Sequence, residues 1–420
     1  MGLLKIGLIG IGNFGGQVCE EAVKYDFPAV VINSSTKDLG ELSDKIVKFV
    51  VGDGNGTGKN RELGREFLLN HSSFTQDKKL LDFLESSDCI YVAASSGGGM
   101  GSGAGPVTVD IIMQMYTDEL GHSEKMIGMI STLPDLEESY TAQKNSEEFM
   151  KDLLELHVPY LMYDNNNFNS LTVEEMNKKV VSNIIADMRV LRGDFILPCT
   201  TGGIDQRDIL TLNSTPGRIV VDRISPFDES DIIEDSIVGT IKKHITKSAH
   251  AALVDDKIIL ASGIMYNLSA DTIKYASSIK RELQSTFGEH IADFRNESAN
   301  NTPEDDFVAT ILAGLTEPTT RIDKAIARRL KIESTITERK SASTKLNSVQ
   351  AGGLSLGVKS FGARTAAAKS KPDIGNILKK YKEKDAGSTT ATTETTRVEA
   401  SRTQKSDNTT LSTTNNGDEE

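Results

Sequence analysis

Short apolar runs alternate with amphipathic stretches over the first 170 residues. Lys5–Ile9, Ala29–Ile32, Val47–Val51, Cys89–Ala94, Met126–Ser131 and Val158–Tyr163 read as buried strands. Between them Gln17–Tyr25, Val107–Leu120 and Glu137–Leu156 carry helical spacing, and Gly121 stops the second of these. Strands alternating with helices predict an α/β domain with a parallel sheet over residues 1–170. A long helix follows, opening at Thr172 and stopped by Gly193. Its apolar positions Val173, Met176, Val180, Val181, Ile184, Ile185, Met188 and Leu191 make a broad face, so residues 171–193 form a central helix packed on several sides.

Beyond it the pattern loosens. Asp194–Pro198 is apolar. Gly217–Ile224, Lys257–Met265 and Phe307–Leu315 read as strands, Glu229–Ser248 and Ala270–Phe287 as helical, and Pro318–Leu330 as the last strong helix. Residues 194–332 therefore form a smaller α+β domain, with no catalytic constellation of its own. Residues 333–420 are expected to be a flexible tail. Its last part, 386–420, is rich in Ser, Thr, Asn and Glu and is expected to be disordered. Within the tail, Ile374, Ile377, Leu378 and Tyr381 fall at helical spacing among Lys379, Lys380, Lys382 and Lys384. That predicts a short basic helix over 373–384, either docking on a partner or forming only transiently.

Three Gly-rich stretches follow the first, third and fourth strands. The most pronounced runs Ser95-Ser96-Gly97-Gly98-Gly99-Met100-Gly101-Ser102-Gly103-Ala104-Gly105-Pro106. It is read as a turn between a buried strand and a helix. Glycines there let the backbone curl so that N–H groups converge on one concavity at the positive end of a helix. Such a loop suits phosphate oxygens. Gly10-Ile11-Gly12-Asn13-Phe14-Gly15 opens the chain as a strand–glycine–helix unit. The end of the second strand, however, holds Asn33-Ser34-Ser35 where a dinucleotide enzyme wants an acidic residue for the ribose. The third stretch, Gly52–Asn60, imitates a Walker A loop but has Asp53 at the first glycine position and Asn60 after Lys59 in place of Ser/Thr. It lines a phosphate site or is a surface turn. Parallel sheets bind ligands at the carboxyl ends of their strands, so these loops are expected to converge on one nucleotide.

Two further clusters have local alternatives. Asn165-Asn166-Asn167 at a strand end suits a turn. Asp205 and Asp208 lie three apart at a helix start, which places both carboxylates on one face and also suits capping.

Composition narrows the function. The chain has 420 residues and a net charge of −13, which argues against a core that grips nucleic acid directly. Cys19, Cys89 and Cys199 are far apart and form no metal or redox motif. No run is long and apolar enough to span a membrane. The chain goes straight into a strand without a leader pattern, so the expected compartment is a reducing cytoplasm.

The motif Gly97-Gly98-Gly99-Met100-Gly101-Ser102-Gly103 resembles the signature of the tubulin/FtsZ superfamily, Gly-Gly-Gly-Thr-Gly-Thr/Ser-Gly. The order of Gly10–Gly16, Asn33, Gly56–Asn60, the signature, Pro134–Glu138 and Asn165 is similar to that family's nucleotide loops. Asp205-Gln206-Arg207-Asp208 resembles its acidic synergy loop. The stretch Asp208–Gly217, and Ala313-Gly314-Leu315 before the last helix, are most similar to the plasmid and phage TubZ branch, over residues 5–332.

The resemblance implies a GTPase that polymerises head to tail, with Rossmann-like GTPase domain, central helix, C-terminal activation domain and disordered tail. It implies GTP/GDP held by Gly12, Asn13, Phe14, Gly15, Asn33, Gly58, Lys59, Asn60, Gly97, Gly98, Gly99, Met100, Gly101, Ser102 and Gly103. Glu138 would take the ribose, Asn165 the sugar or base, and Asn177 the guanine edge. Mg²⁺ would shield the phosphates; no metal-ligating residue is assigned. Asp205 and Asp208 of the next subunit would position the attacking water, so assembly completes the site.

The implied role is DNA segregation, with a separate DNA-binding adaptor reached through the tail and no direct nucleic-acid or membrane contact. Two positions depart from the pattern. Met100 replaces the signature Thr, removing a hydrogen bond to a charged group worth about 1.5–3 kcal/mol, and Arg61 stands where Pro is common. A structural filament with little turnover is therefore an alternative. A dinucleotide enzyme and a division-ring protein are less well supported, lacking the ribose acid and a membrane tether respectively.

Overall fold

The parallel core is built from strands that are buried from end to end. In the computed structural model β1 (Ile6–Ile11), β2 (Ala29–Asn33), β4 (Cys89–Ser95), β5 (Met126–Leu133) and β6 (Pro159–Asp164) are almost wholly shielded from solvent, and β3 (Val47–Val50) lies at the edge. Leu8, Ile9, Val30, Val31, Ile90 and Val92 are fully buried. Each such side chain contributes about 1.5–3 kcal/mol relative to exposure. The structure describes residues 3–117, 124–197, 203–224, 250–251, 259–269, 277, 281, 294–300 and 307–347. Cys199, the stretch 229–248, nearly all of 270–287 and the basic segment 373–384 lie outside them.

Helices α1 (Gly12–Ala22), α2 (Thr36–Gly40), α3 (Arg61–Asn70), α4 (Lys78–Ser86), α5 (Gly99–Tyr116) and α6 (Tyr140–Glu155) connect the strands, and α7 (Val173–Arg192) follows β6. A capping box starts α7: Thr172 Oγ1 accepts from Glu175 N, and Glu175 Oε2 accepts from Thr172 N. Gly193, at φ +89, ends it. Next come α8 (Gln206–Ser214), β7 (Gly217–Ile224), β8 (Ala261–Ser269), β9 (Phe294–Asn300), β10 (Phe307–Leu315) and α9 (Thr319–Asn347).

All ten strands form one sheet, in the order β3-β2-β1-β4-β5-β6-β7-β10-β8-β9. The pairs from β3 through to β7 are parallel, β10 is antiparallel to both β7 and β8, and β8 and β9 are parallel. The strand order reverses between β1 and β4, the position at which open α/β sheets bind ligands.

Several sequence boundaries shift. Two of the glycine stretches are largely helical: α1 begins at Gly12 and α5 at Gly99, leaving only Ser96–Gly98 as a turn before α5. The reason is close packing. A Cβ on Gly103 would sit 2.1 Å from the Arg61 carbonyl oxygen, and one on Gly15 would sit 2.4 Å from that of Ala93. The helices therefore start earlier than a loop reading allows, and their glycines serve contact as much as curvature. β8 begins at Ala261, later than expected, and β9 was not anticipated, because its sequence Phe-Arg-Asn-Glu-Ser-Ala-Asn is mostly polar. α9 runs to Asn347, well past residue 332, where the tail was expected to begin. Arg329 and Glu333 tie it to α6. Cys19 and Cys89 are buried free thiols, and burial pushes both up to about 12, so they act as packing groups.

Candidate functional site: the carboxyl edge of the parallel strands

Parallel strands end at one edge, and the glycine stretches sit there. The start of α1 follows β1 and the start of α5 follows β4, side by side because β1 pairs with β4 through Ile11↔Ala94. These two helix starts share one property. The residue before α1 is Ile11 and that before α5 is Gly98, and neither supplies a side-chain cap. Their first-turn N–H groups lack intrahelical acceptors by construction. By contrast α2, α3, α4, α6, α7 and α8 are each capped by a side chain, from Ser35, Asn60, Asp77, Ser139, Thr172 and Asp205. Two adjacent helix dipoles thus point open donors at one crevice, an arrangement that attracts anions.

Around this pair the walls are stitched together. The loop after β3 contains Gly52, Gly54, Gly56 and Gly58, all at positive φ, followed by Lys59 at φ +64. It is no loose surface turn: Gly56 N donates to Ser34 O at 2.8 Å, and Thr36 N donates to Gly54 O at 3.0 Å. Asn145 on α6 joins it to the signature, its Nδ2 donating to Lys59 O at 3.0 Å and lying 3.3 Å from the Gly97 and Gly98 carbonyl oxygens. Ser96 is buried, donating to Thr132 O and sharing a hydrogen bond with Ser146. Ser102 turns its hydroxyl back to the Gly98 carbonyl, inside the helix start.

The remaining expected residues fall around the same edge. Asn33 is buried at the end of β2, accepting from Ser35 N and donating to Asp38. Beside it the Ser34 hydroxyl is buried without a partner. Asn13 is exposed, while Phe14 is half-buried against the core. Gly58, Lys59 and Asn60 are exposed, and Asn60 caps α3. Glu138 is half-buried after β5; burial raises its carboxyl above the ordinary range, and the Lys59 ammonium opposes that. Asn165 opens a 3-10 turn over Asn165–Phe168, and Asn177 is half-buried early in α7. Met100 is buried; a Cβ on Gly12 would lie 3.3 Å from its Cβ, so it packs between the two open helix starts. Arg61 is a buried tie, donating to the Ser102 carbonyl and to Asp152, which also accepts from Arg65.

Asp205 and Asp208 are elsewhere. They form a capping box at the start of α8, in which Asp205 Oδ1 accepts from Arg207 N at 2.7 Å and Asp208 N at 3.0 Å, and Asp208 Oδ2 accepts from Asp205 N at 2.8 Å. Their neighbours Gln206, Arg207 and Leu210 line a cleft with Leu4, Asp88, Glu124 and Lys125, the residues that precede β1, β4 and β5. That is the amino edge of the sheet, about 20 Å of strand away from the glycine crevice.

Sequence reasoning missed Asn145, Ser96 with Ser146, and Arg321. One signal was legible. On α6, Gln143, Asn145 and Ser146 are buried polar residues set among Ala142, Phe149, Met150 and Leu153. Polar groups buried on a core-facing helix need partners, and here those partners are the loops.

Comparison with known proteins accords with this geometry. Residues 5–172 match the model of the tubulin/FtsZ family GTPase domain. Over those residues the chain is similar to a tubulin/FtsZ GTPase domain. A tubulin-like CetZ protein of Pyrococcus abyssi is 29% identical over 192 residues, which is 42% of this chain and 50% of the relative. The chain thus spans only about half the length of that curated relative. Among solved structures, CetZ2 of Haloferax volcanii, a GTPγS-bound protofilament, superposes with a TM-score of 0.62 at 20% identity, covering 79% of this chain and all of CetZ2 (100%). A GTPγS-form protofilament of TubZ from Bacillus thuringiensis serovar israelensis gives 0.64 at 16% identity, covering 81% of this chain and 94% of that one. These likenesses establish a fold that TubZ and CetZ share. Among the described residues no helix is long and apolar enough to cross a membrane.

Proposed function

We propose that this protein is a GTPase that polymerises head to tail and hydrolyses GTP at the junction between subunits. One observation carries the reading. The open, dipole-bearing helix starts lie on one edge of the sheet, whereas the candidate acids Asp205 and Asp208 lie on the opposite edge. A single chain cannot bring them together, but two chains stacked edge to edge can. The triphosphate fits the uncapped starts of α1 and α5, with Gly12 and Gly97–Gly101 lining it, Gly15 and Gly103 packing the two helices against their neighbours, and Asn145 holding the loops in place. The orphaned Ser34 hydroxyl beside Asn33 is a further donor for a polar ligand. Asn13, Phe14 and Gly58–Asn60 flank the phosphates; Glu138, Asn165 and Asn177 take the sugar and base.

Among the described residues no group of three or more His, Cys, Asp or Glu side chains is placed to hold a metal ion. Mg²⁺ arriving with the nucleotide would supply charge neutralisation on the phosphates. The incoming subunit's Asp205 and Asp208 orient the attacking water. The GTPγS-bound filaments of CetZ2 and TubZ support this assembly mode. The reading extends to moving DNA through an adaptor bound by the tail, with which a net charge of −13 is compatible, since such a chain does not attract nucleic acid itself.

Phosphate release measured against protein concentration tests the reading. A sharp threshold followed by a linear rise is expected, because the site forms only between subunits. Release proportional to concentration down to zero would refute the shared site. Met100 favours a second reading, a GTP-bound filament with little turnover, for which filaments would persist after GTP is exhausted.

A further inference from the structure

The α9 helix reaches back onto the loops of the candidate site, and Arg321 in its first turn makes the deepest contact. The Arg321 side chain is 7% exposed. Its Nε donates to Asp164 Oδ2 at 2.7 Å, and its Nη2 donates both to Asp164 Oδ1 at 2.9 Å and to the Pro134 carbonyl oxygen at 2.6 Å. Each acceptor begins a site loop. Pro134 follows β5 and opens the loop that carries Glu138. Asp164 ends β6, and its Oδ1 accepts from Asn166 N at 3.0 Å, capping the turn that begins with Asn165. One guanidinium thus sets the start of two loops, with a planar fork that a lysine cannot reproduce.

The rest of α9 continues the seam. Arg328 pairs with Glu137, Arg329 Nε donates to Glu147 Oε2 at 2.8 Å, and the Tyr140 hydroxyl donates to Glu333 Oε1 at 3.3 Å. The loop from Pro134 to Tyr140 is therefore held along its length by a helix that lies more than 150 residues later in the chain.

We infer that Arg321 is a positioning residue for the flank of the nucleotide site formed by the loops after β5 and β6, and that ligand binding and the seating of α9 are coupled. This rests on the nucleotide reading above. Coupling between linked sites is reciprocal, so a ligand that orders those loops must also tighten α9.

Hydrogen exchange on the full chain, with and without GDP, tests it without any substitution. GDP is expected to slow exchange at 10–16 and 97–103, and also over 319–333. Slowing at the two glycine stretches without any change in 319–333 would overturn the coupling and leave the site reading intact. No slowing anywhere would overturn both. Arg321→Lys then addresses the residue itself. It is expected to weaken GTP and GDP by the same factor, about tenfold, because the phosphate-facing helix starts are untouched. Arg328→Ala, on the exposed rim, should stay within about twofold. Unchanged binding in Arg321→Lys, or an altered GTP-to-GDP ratio, would refute the assignment.

Discussion

The starts of α5 and α8 are made in opposite ways. At α8 two aspartates close on each other's backbone and leave the helix terminus satisfied within its own chain. At α5 the residue before the helix is Gly98, with no side chain to offer, and the first turn is left open. A side-chain cap is worth about 1 kcal/mol over alanine but only about 0.3 kcal/mol over glycine, so a glycine at that position gives up little stability and keeps the donors available. The difference teaches where to look for a ligand: among the described helices α1 to α8, the two without side-chain caps stand side by side at the point where the strand order reverses.

The sharpest way to break the comparison lies at α8. If Asp205 only caps, Asp205→Asn should behave as wild type, since Asn caps as well as Asp. If it also positions water in the neighbouring subunit, Asp205→Asn should lower turnover by about a thousandfold, within the range for a general acid–base group, while GTP-dependent light scattering persists. Asp205→Ala should show the same kinetic loss plus about 1 kcal/mol of lost stability. Steady-state phosphate release and thermal melts separate the two contributions.

The next test converts α5 into a helix like α8. Gly98 has φ −78 and ψ 170, an ordinary extended conformation, and a Cβ there would meet only the Ser95 hydroxyl at 2.9 Å, the end of a short side chain. Gly98→Asp should therefore fold, with its carboxylate on the open N–H groups. Thermal stability should hold or rise by about 0.3 kcal/mol, while nucleotide affinity falls by about a hundredfold, through lost donors and like-charge repulsion. Unchanged affinity, measured by fluorescent-GDP titration, would mean that the open helix start is not where phosphate sits.

A smaller effect separates the glycines of α5 from each other. Gly103 faces α3, where a Cβ would overlap the Arg61 carbonyl oxygen at 2.1 Å and approach Arg65 N at 2.9 Å. Both groups are backbone and cannot swing away. Gly103→Ala should cost about 2 kcal/mol, as overpacking does, despite the better helix propensity of Ala. Gly58→Ala has open space around it and should cost about 1 kcal/mol from its φ of +56 alone. A melt in which the two variants are equal would show that α3 and α5 are less tightly apposed.

Much of this was legible in the sequence, and the exceptions are instructive. The strands β1, β2, β4, β5 and β6 were readable because each is a short, mostly apolar run with no charge before its last residue. The stop of α7 at Gly193 was readable because only a left-handed residue ends a helix that way cheaply. The true starts of α1 and α5 were not readable, since glycine signals a turn by propensity, whereas here it signals a neighbouring backbone. β9 was missed because an edge strand needs little apolar sequence. Arg321 was out of reach altogether: its partners Pro134 and Asp164 lie more than 150 residues away, and nothing in local pattern encodes a buried ion pair across that separation. Arg61 stood out as a departure from the family pattern, but its purpose, binding the Ser102 carbonyl and Asp152, needed the fold.

The smallest expected effect concerns pH. Burial raises the Glu138 carboxyl above its unfolded value, with Lys59 pulling the other way. An acid with a raised folded-state pKa holds its proton in the native chain over a window where the unfolded chain has lost it. Stability therefore falls as pH rises through that window, starting from the ordinary carboxylate range. Glu138→Gln should remove this slope, so the wild type should lose stability relative to the variant as the pH is raised, in chemical melts between pH 4 and about 7. Nucleotide affinity should move the other way if the ionised carboxylate accepts from the ribose hydroxyls: it should strengthen as Glu138 deprotonates, and stay flat in Glu138→Gln. Opposite slopes for stability and affinity would mark Glu138 as a group held in an unfavourable state for the sake of its ligand. Parallel slopes would reduce it to an ordinary half-buried acid beside Lys59, and would move the sugar contact to another residue of the same edge.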